Sequence, residues 1–223
     1  TAIVEAGYEG RRGPLVRVAD PLEAMRALGR AARARSGAKI IAVTGSVGKT
    51  GTKEMLRLCL SACGPTHASE KSYNNHWGVP LTLARMPRSA QFGVFEIGMN
   101  HAGEITPLTK IVRPPIAIIT TVGPVHIEYF SSEEAIADAK AEIFDGIEPG
   151  GIAILNRDNR HFDRLAAAAR RAGVIQIADV GPFQHEPACY SRLRSSSPED
   201  WGSDVSAAIG EERIDVGGGT FAG

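Results

Sequence analysis

The sequence is short of cysteine, of net charge and of long apolar runs, and each shortage excludes a class of protein. The three cysteines are an odd number in a chain of ordinary composition, which argues against a disulfide framework and suggests a reducing compartment. The 25 basic and 25 acidic residues balance, so no overall positive field attracts nucleic acid or an anionic membrane. No run of about 18 apolar residues is present to span a bilayer. We therefore expect a cytoplasmic protein without membrane insertion or nucleic-acid binding.

The length of the chain and its pattern of apolar and polar segments predict one α/β domain between two shorter segments. Within residues 37–181, short apolar strands alternate with helical stretches, which is typical of a mostly parallel sheet with helices on both faces. Residues 1–36 begin without Met in a strand-like segment and are interpreted as the remnant of an N-terminal domain and a connecting helix. Residues 182–223 are polar and are expected to form a small β appendage that leads towards a further domain.

The spacing of apolar residues predicts the individual elements of this domain. Strands are expected at residues 40–43, 94–97, 116–119, 152–155 and 174–177, and helices at 20–36, 49–63, 81–86, 103–112, 132–147 and 160–172.

A glycine-rich turn joins the first of these strands to the helix at residues 49–63. It reads Thr-Gly-Ser-Val-Gly-Lys-Thr, and between a strand and a helix its backbone N–H groups can surround a polyphosphate. Lys49 is expected to reach the β and γ phosphates, and the Thr50 hydroxyl to bind Mg²⁺. The alternative is a turn with a solvated lysine, because the first glycine of the general pattern falls on Val43. The residues predicted to bind ATP here are Gly45, Ser46, Val47, Gly48, Lys49, Thr50 and Gly51.

Three ionisable residues beyond this loop are candidates for the same site. Glu96 ends an apolar strand, at the edge where open α/β sheets bind ligands, and can hold Mg²⁺ there; a capping or ion-paired glutamate is the alternative. His126 follows the strand at 116–119, although spacing alone favours a packed or solvated histidine. Lys140 lies in a predicted helix, where the residues alone favour a surface lysine.

Asparagines are further candidates for this site. Asn74 and Asn75 lie in an amide-rich loop that offers donors and acceptors to a phosphate or sugar, with a capped turn as the alternative. Asn156 follows the strand at 152–155, where a turn residue is also plausible.

Taken together, five segments in this order resemble the Mur ligase family. They are Thr-Gly-Ser-x-Gly-Lys-Thr, Asn-Asn-x-x-Gly-Val-Pro, Asn-His-Ala-Gly-Glu-Ile, Gly-Pro-x-His-x-Glu and Ala-Lys-x-Glu-Ile, and the resemblance runs from about residue 20 to 181. The phosphate loop is similar to that of folylpolyglutamate synthase as well. Gly51 stands where the family often has Ser or Thr, a mild departure that leaves the role of Thr50 intact.

The resemblance implies an ATP-dependent ligase. Such an enzyme activates the peptide carboxylate of UDP-N-acetylmuramoyl-tripeptide as an acyl phosphate, and the segment that begins at Asn100 points to the member that then adds D-alanyl-D-alanine. Sibling ligases that add a single amino acid, or glutamates to folate, remain alternatives, as does a nucleotide-binding module without ligase chemistry. We expect the chain by itself to be a monomer with little or no ligase activity.

The same resemblance implies roles for individual residues. ATP and a pair of Mg²⁺ ions are the expected cofactors, and the second ion is held by His126 and by Lys140 after its conversion by CO₂ to a carbamate. Lys49, His126 and Lys140 are thereby the catalytic candidates, and Thr50 and Glu96 join the metal ligands. The resemblance further places Asn74, Asn75 and Asn100 near the substrate, and Asn156 against the adenine.

Overall fold

The computed structural model describes residues 2–10, 13–125 and 127–180, so the predicted appendage at 182–223 lies outside the described residues. Two short parallel strands, β1 (Ala2–Glu5) and β2 (Leu15–Val18), form a small sheet before helix α1 (Pro21–Ala34). The later elements are β3 (Lys39–Thr44), α2 (Lys49–Ser61), β4 (Thr66–Ala68), α3 (Gly78–Arg85), β5 (Phe92–Glu96), α4 (Ile105–Val112), β6 (Ile116–Ile119), α5 (Glu133–Ala141), β7 (Ile152–Asn156), α6 (Phe162–Arg171) and β8 (Gln176–Val180), with 3₁₀ turns at Ile127–Tyr129 and Glu142–Gly146.

Within the described residues, the main sheet contains six parallel strands in the order β4-β5-β3-β6-β7-β8. From β3 the chain crosses to β4 on one side, whereas from β6 it proceeds through β7 to β8 on the other. The direction of winding therefore changes between β3 and β6, and the carboxyl ends of strands at such a point are where open α/β sheets bind ligands.

Successive strand residues point to opposite faces, so the sheet builds two cores. The larger core lies between one face and helices α3 to α6, and includes the fully buried Ile40 and Phe95. On the other face, Leu56 and Leu60 of α2 pack against strand residues such as Ile41. Helices on both faces of a parallel sheet confirm the predicted fold class.

Helix α1 is docked on the domain. Its N-terminus is capped by Asp20, whose Oδ1 accepts the Leu22 N–H at 2.8 Å. Gly29 lies so close to α3 that a Cβ there would come within 3.2 Å of the Pro80 carbonyl oxygen. Near its C-terminus, the Arg33 guanidinium donates to the Val112 carbonyl at 2.7 Å, and burial lowers the pKa of this arginine. These contacts fix α1 against α3 and α4.

Several elements differ from the prediction, and three of the differences have a clear physical reason. Strand β4 was not predicted, because its three residues are only half-buried and acquire strand geometry by pairing with β5. The helix predicted at 132–147 ends at Ala141, where a 3₁₀ turn packs closely on α4: a Cβ on Gly146 would lie 2.3 Å from the Thr109 carbonyl. The last strand begins at Gln176 rather than at residue 174, after the left-handed Gly173.

In the part of the chain that the structure describes, no helix combines the length and the apolar character that a membrane crossing needs.

Candidate nucleotide-binding site

The loop between β3 and α2 needs glycine at two positions. Gly45 has a φ of 149°, and a Cβ there would lie 2.0 Å from the Thr120 hydroxyl oxygen. Gly48, with a φ of 84°, is the N-cap residue of α2, and among the described residues no side chain caps this helix. The first N–H groups of α2 are therefore available to an anion, and the helix dipole favours negative charge at the same point.

The segment that follows β6 holds this loop in place. The Ser46 N–H donates to the Thr121 carbonyl at 2.8 Å, and the Ser46 hydroxyl donates to the Gly123 carbonyl at 3.0 Å. The Thr120 hydroxyl donates to the Val47 carbonyl at 2.6 Å. Sequence reasoning missed this support, although two consecutive hydroxyl residues directly after a buried strand were a usable signal. These hydrogen bonds fix the shape of the loop.

Lys49 folds back over the loop. Its ammonium donates to the Gly45 carbonyl at 2.7 Å and to the Ser46 carbonyl at 3.4 Å. Burial lowers the pKa of Lys49, and the nearby Glu96 carboxylate partly offsets that effect. The positive charge therefore lies beside the open N–H groups of α2, which is the position expected of a phosphate-binding lysine.

Two other predicted site residues, Thr50 and Asn74, contact Glu96. The Thr50 hydroxyl donates to Glu96 Oε2 at 2.9 Å, and the Asn74 amide donates to Glu96 Oε1 at 2.8 Å. Glu96 is buried, and its Cα pairs with Val43 of β3, so it lies level with the start of the loop. Mg²⁺ usually takes one or two protein oxygens and completes its shell with phosphates and water. One carboxylate in contact with one hydroxyl beside the phosphate loop fits that ion.

Lys140 is buried, so the surface lysine that the local sequence alone favoured is wrong. The side chain of this α5 residue is 4% exposed. Burial and, to a smaller extent, repulsion from the neighbouring Lys49 together lower the pKa of Lys140 to about 7. A substantial fraction of the amine is consequently uncharged near neutral pH.

The side chains of Asn75 and Asn156 serve local turns. The Asn75 side-chain oxygen accepts the Gly78 N–H at 2.9 Å and supports the start of α3. The Asn156 oxygen accepts the backbone N–H two residues later at 3.0 Å, at the carboxyl end of β7. Nearby, the Asn159 amide donates to the Thr121 hydroxyl at 2.9 Å, a link to the phosphate-loop support that the sequence did not reveal.

Asn100 lies exposed in the loop between β5 and α4. Its N–H donates to the Glu104 carboxylate at 2.7 Å, and hydrogen bonds of this kind lower the pKa of that carboxyl against the opposing effect of its burial. The Glu142 carboxylate accepts the Gly103 N–H at 2.6 Å and fixes the same loop, a role that sequence reasoning missed. His126 lies outside the described residues.

Comparison with known proteins gives the family. Residues 43–199 match the model of the Mur ligase middle domain. The UDP-N-acetylmuramoyl-tripeptide--D-alanyl-D-alanine ligase of Rickettsia prowazekii (strain Madrid E) is 38% identical over 179 residues, which are 80% of this chain and 39% of that relative. The chain therefore spans less than half the length of the relatives it matches.

Two solved structures share the fold. A crystal structure of MurF from Acinetobacter baumannii aligns with this chain with a TM-score of 0.72 at 37% identity. The alignment covers 79% of this chain and 38% of the MurF chain. MurF ligase from Thermotoga maritima in complex with ADP aligns with a TM-score of 0.69 at 25% identity, over 82% of this chain and 42% of that one. The match of the family model to more than half of the sequence decides the assignment: this chain belongs to the Mur ligase family and contains the family's middle domain.

Proposed function

We propose that this chain is the ATP-binding part of a ligase that joins the peptide carboxylate of UDP-N-acetylmuramoyl-tripeptide to D-alanyl-D-alanine in the synthesis of peptidoglycan precursors. The contact of Thr50 with Glu96 beside the phosphate loop carries the proposal, because it combines a polyphosphate cradle with a place for Mg²⁺. The relatives named for this reaction support the choice of substrates.

In this proposal the loop and Lys49 bind the β and γ phosphates. Thr50 and Glu96 hold the Mg²⁺ that neutralises charge on the transferring phosphoryl group. Asn156, at the carboxyl end of β7, lies on the edge of the sheet where the adenine is expected. The tripeptide carboxylate attacks the γ phosphorus and ADP leaves, and the dipeptide amine then displaces phosphate from the acyl phosphate.

Lys140 is the residue proposed to hold a second Mg²⁺ together with His126. Its uncharged amine can form a bond to the carbon of CO₂ and release a proton, which converts a repelling ammonium into an anionic carbamate. The burial of Lys140 and its pKa of about 7 support this step, because the reactive form of the amine is present at neutral pH.

Asn74, Asn75 and Asn100 are proposed to face the acceptor substrate. Asn74 and Asn100 belong to loops that follow β4 and β5, on the edge of the sheet that also carries the phosphate loop. We place the reaction in the cytoplasm, because ATP and a UDP-linked sugar are both substrates, and we propose that the protein is a monomer. Residues 1–36 and 182–223 are proposed to lead to flanking domains, so the chain by itself should catalyse little ligation.

The test is phosphate release by the whole protein with Mg-ATP and UDP-N-acetylmuramoyl-tripeptide, with and without D-alanyl-D-alanine. We expect release to need both substrates, to be lost in Lys49→Ala and to persist in Lys110→Ala, which removes an exposed lysine of α4. Phosphate release that does not depend on the dipeptide would indicate a sibling ligase instead. ATP binding without release under any acceptor would leave a plain nucleotide-binding module.

A further inference from the structure

A fully buried lysine lies directly behind the phosphate loop and has no part in the function described so far. Lys53 belongs to α2, one turn after Lys49, and its side chain is 0% exposed. Its ammonium donates to the Ser69 carbonyl at 2.8 Å and to the Lys71 carbonyl at 3.0 Å, and it lies 2.7 Å from Glu54 Oε1. A buried ion pair or ammonium rarely improves stability over an apolar side chain of similar size, so its presence suggests a positional role.

The segment that Lys53 holds has an unusual backbone. Lys71 has a φ of 49°, in the left-handed region that residues other than glycine seldom adopt. A strained conformation persists when surrounding contacts determine it, and the hydrogen bond from Lys53 to the Lys71 carbonyl is one such contact. Lys53 therefore fixes both the place and the shape of residues 69–71.

The same segment orients Glu96 from two sides. The Ser69 hydroxyl accepts the Glu96 N–H at 3.2 Å, and the Asn74 amide donates to Glu96 Oε1 at 2.8 Å. Asn74 is itself fixed, because its carbonyl accepts the Gly98 N–H at 2.8 Å and a Cβ on Gly98 would lie 2.9 Å from its side chain. The main chain and the carboxylate of Glu96 are thus both held by residues 69–74.

We propose that Lys53 is a positioning residue of the metal site: it anchors residues 69–74 to α2 and, through Ser69 and Asn74, holds the Glu96 carboxylate against Thr50. The inference rests on the proposed function, in which Glu96 and Thr50 hold Mg²⁺ on ATP. Because α2 also begins at the phosphate loop, one helix then sets the distance between the phosphate-binding and metal-binding groups. Residues that support metal ligands in this way commonly change metal affinity by about 10- to 100-fold when they are replaced.

The experiment compares Lys53→Met, which keeps the length of the side chain but removes its donors, with Glu54→Gln as the matched control. Glu54→Gln removes the charge that pairs with Lys53 and leaves both carbonyl contacts in place. Calorimetry on the whole protein measures the affinity for ATP with Mg²⁺ and with EDTA. Hydrogen exchange without nucleotide or metal measures the protection of the Glu96 and Gly98 amides.

For Lys53→Met we expect the gain in ATP affinity due to Mg²⁺ to fall roughly tenfold or more, while the affinity in EDTA changes by less than about twofold. We also expect faster exchange at Glu96 and Gly98, because the acceptors of both N–H groups lose their anchor. Glu54→Gln should change neither quantity.

Two results separate this inference from the proposed function. If the unaltered protein shows no gain from Mg²⁺, the proposed function fails and the inference falls with it. If the gain is present and Lys53→Met retains it, only the role of Lys53 is refuted. If Lys53→Met does not fold, Ser69→Ala replaces it in the experiment, because it removes only the hydroxyl that accepts the Glu96 N–H. A several-fold loss of the gain in ATP affinity due to Mg²⁺ then supports the inference. An unchanged gain overturns it.

Discussion

The buried Lys140 should make the stability of this domain depend on pH in a way that one substitution abolishes. In the unfolded chain a lysine titrates near its ordinary pKa of 10.5, whereas burial in the folded protein lowers the pKa of Lys140 to about 7. Between these values the unfolded state binds a proton that the folded state has released, so the free energy of unfolding rises with pH. Below pH 7 both states are protonated and the full cost of the buried charge is present.

The magnitude follows from the size of the shift. Each pH unit in this window contributes about 1.4 kcal/mol when the folded state is fully deprotonated and the unfolded state fully protonated. Lys140 is about half protonated at pH 7 and deprotonated at pH 9. From pH 7 to pH 9, the free energy of unfolding should therefore rise by about 2 kcal/mol more in the unaltered chain than in Lys140→Met.

The assay is urea unfolding of the chain at pH 7 and pH 9, in CO₂-free buffer with EDTA so that neither a carbamate nor a metal contributes. Titrating groups distant from Lys140 affect the unaltered chain and Lys140→Met alike and cancel in the comparison. Lys110→Met, which replaces an exposed lysine of α4, should keep the behaviour of the unaltered chain. If the rise in the free energy of unfolding from pH 7 to pH 9 is the same in Lys140→Met and the unaltered chain within about 0.5 kcal/mol, the reasoning about burial is wrong.

Three further predictions concern the same site. Gly45→Ala should destabilise the domain by roughly 2 kcal/mol or more in urea unfolding, because a Cβ overlaps the Thr120 hydroxyl and the φ of 149° disfavours alanine; unchanged stability would show that the loop can move aside. Glu96→Gln should lower the affinity for Mg-ATP about 10- to 100-fold in calorimetry and leave binding in EDTA nearly unchanged; an equal loss in both would speak against a metal ligand. With ¹³C-bicarbonate, the whole protein should show a carbamate carbon signal that is missing in Lys140→Met, and a signal common to both would exclude Lys140 as its source.

Local sequence patterns predicted most of the secondary structure. The strand at residues 116–119 coincides with β6, and the helix predicted from residue 49 begins there as α2. These elements are visible in the sequence because a short buried strand is apolar throughout and because the glycine-rich turn marks a helix start. The phosphate loop was predictable for the same reason, since all its residues are consecutive.

Properties that depend on distant partners were not predictable in this way. Strand β4 is a strand only through its pairing with β5, and its three residues carry no pattern of their own. Lys53 and Lys140 both lie on helices whose composition resembles that of a surface helix, yet tertiary packing buries both side chains. Burial of a charge is set by what covers it, and the covering residues come from other parts of the chain.

The sequence by itself therefore determined the order of most strands and helices, the parallel α/β class and the position of the phosphate loop. Only the tertiary structure decided which polar residues meet. Thr50 and Glu96 are 46 residues apart, and they come into contact because the register of β3 and β5 sets Val43 opposite Glu96. The support of Glu96 by Ser69 and Asn74 depends likewise on the path of the loop after β4. Local sequence specifies backbone conformation, whereas these contacts arise from the way that the helices and strands pack together.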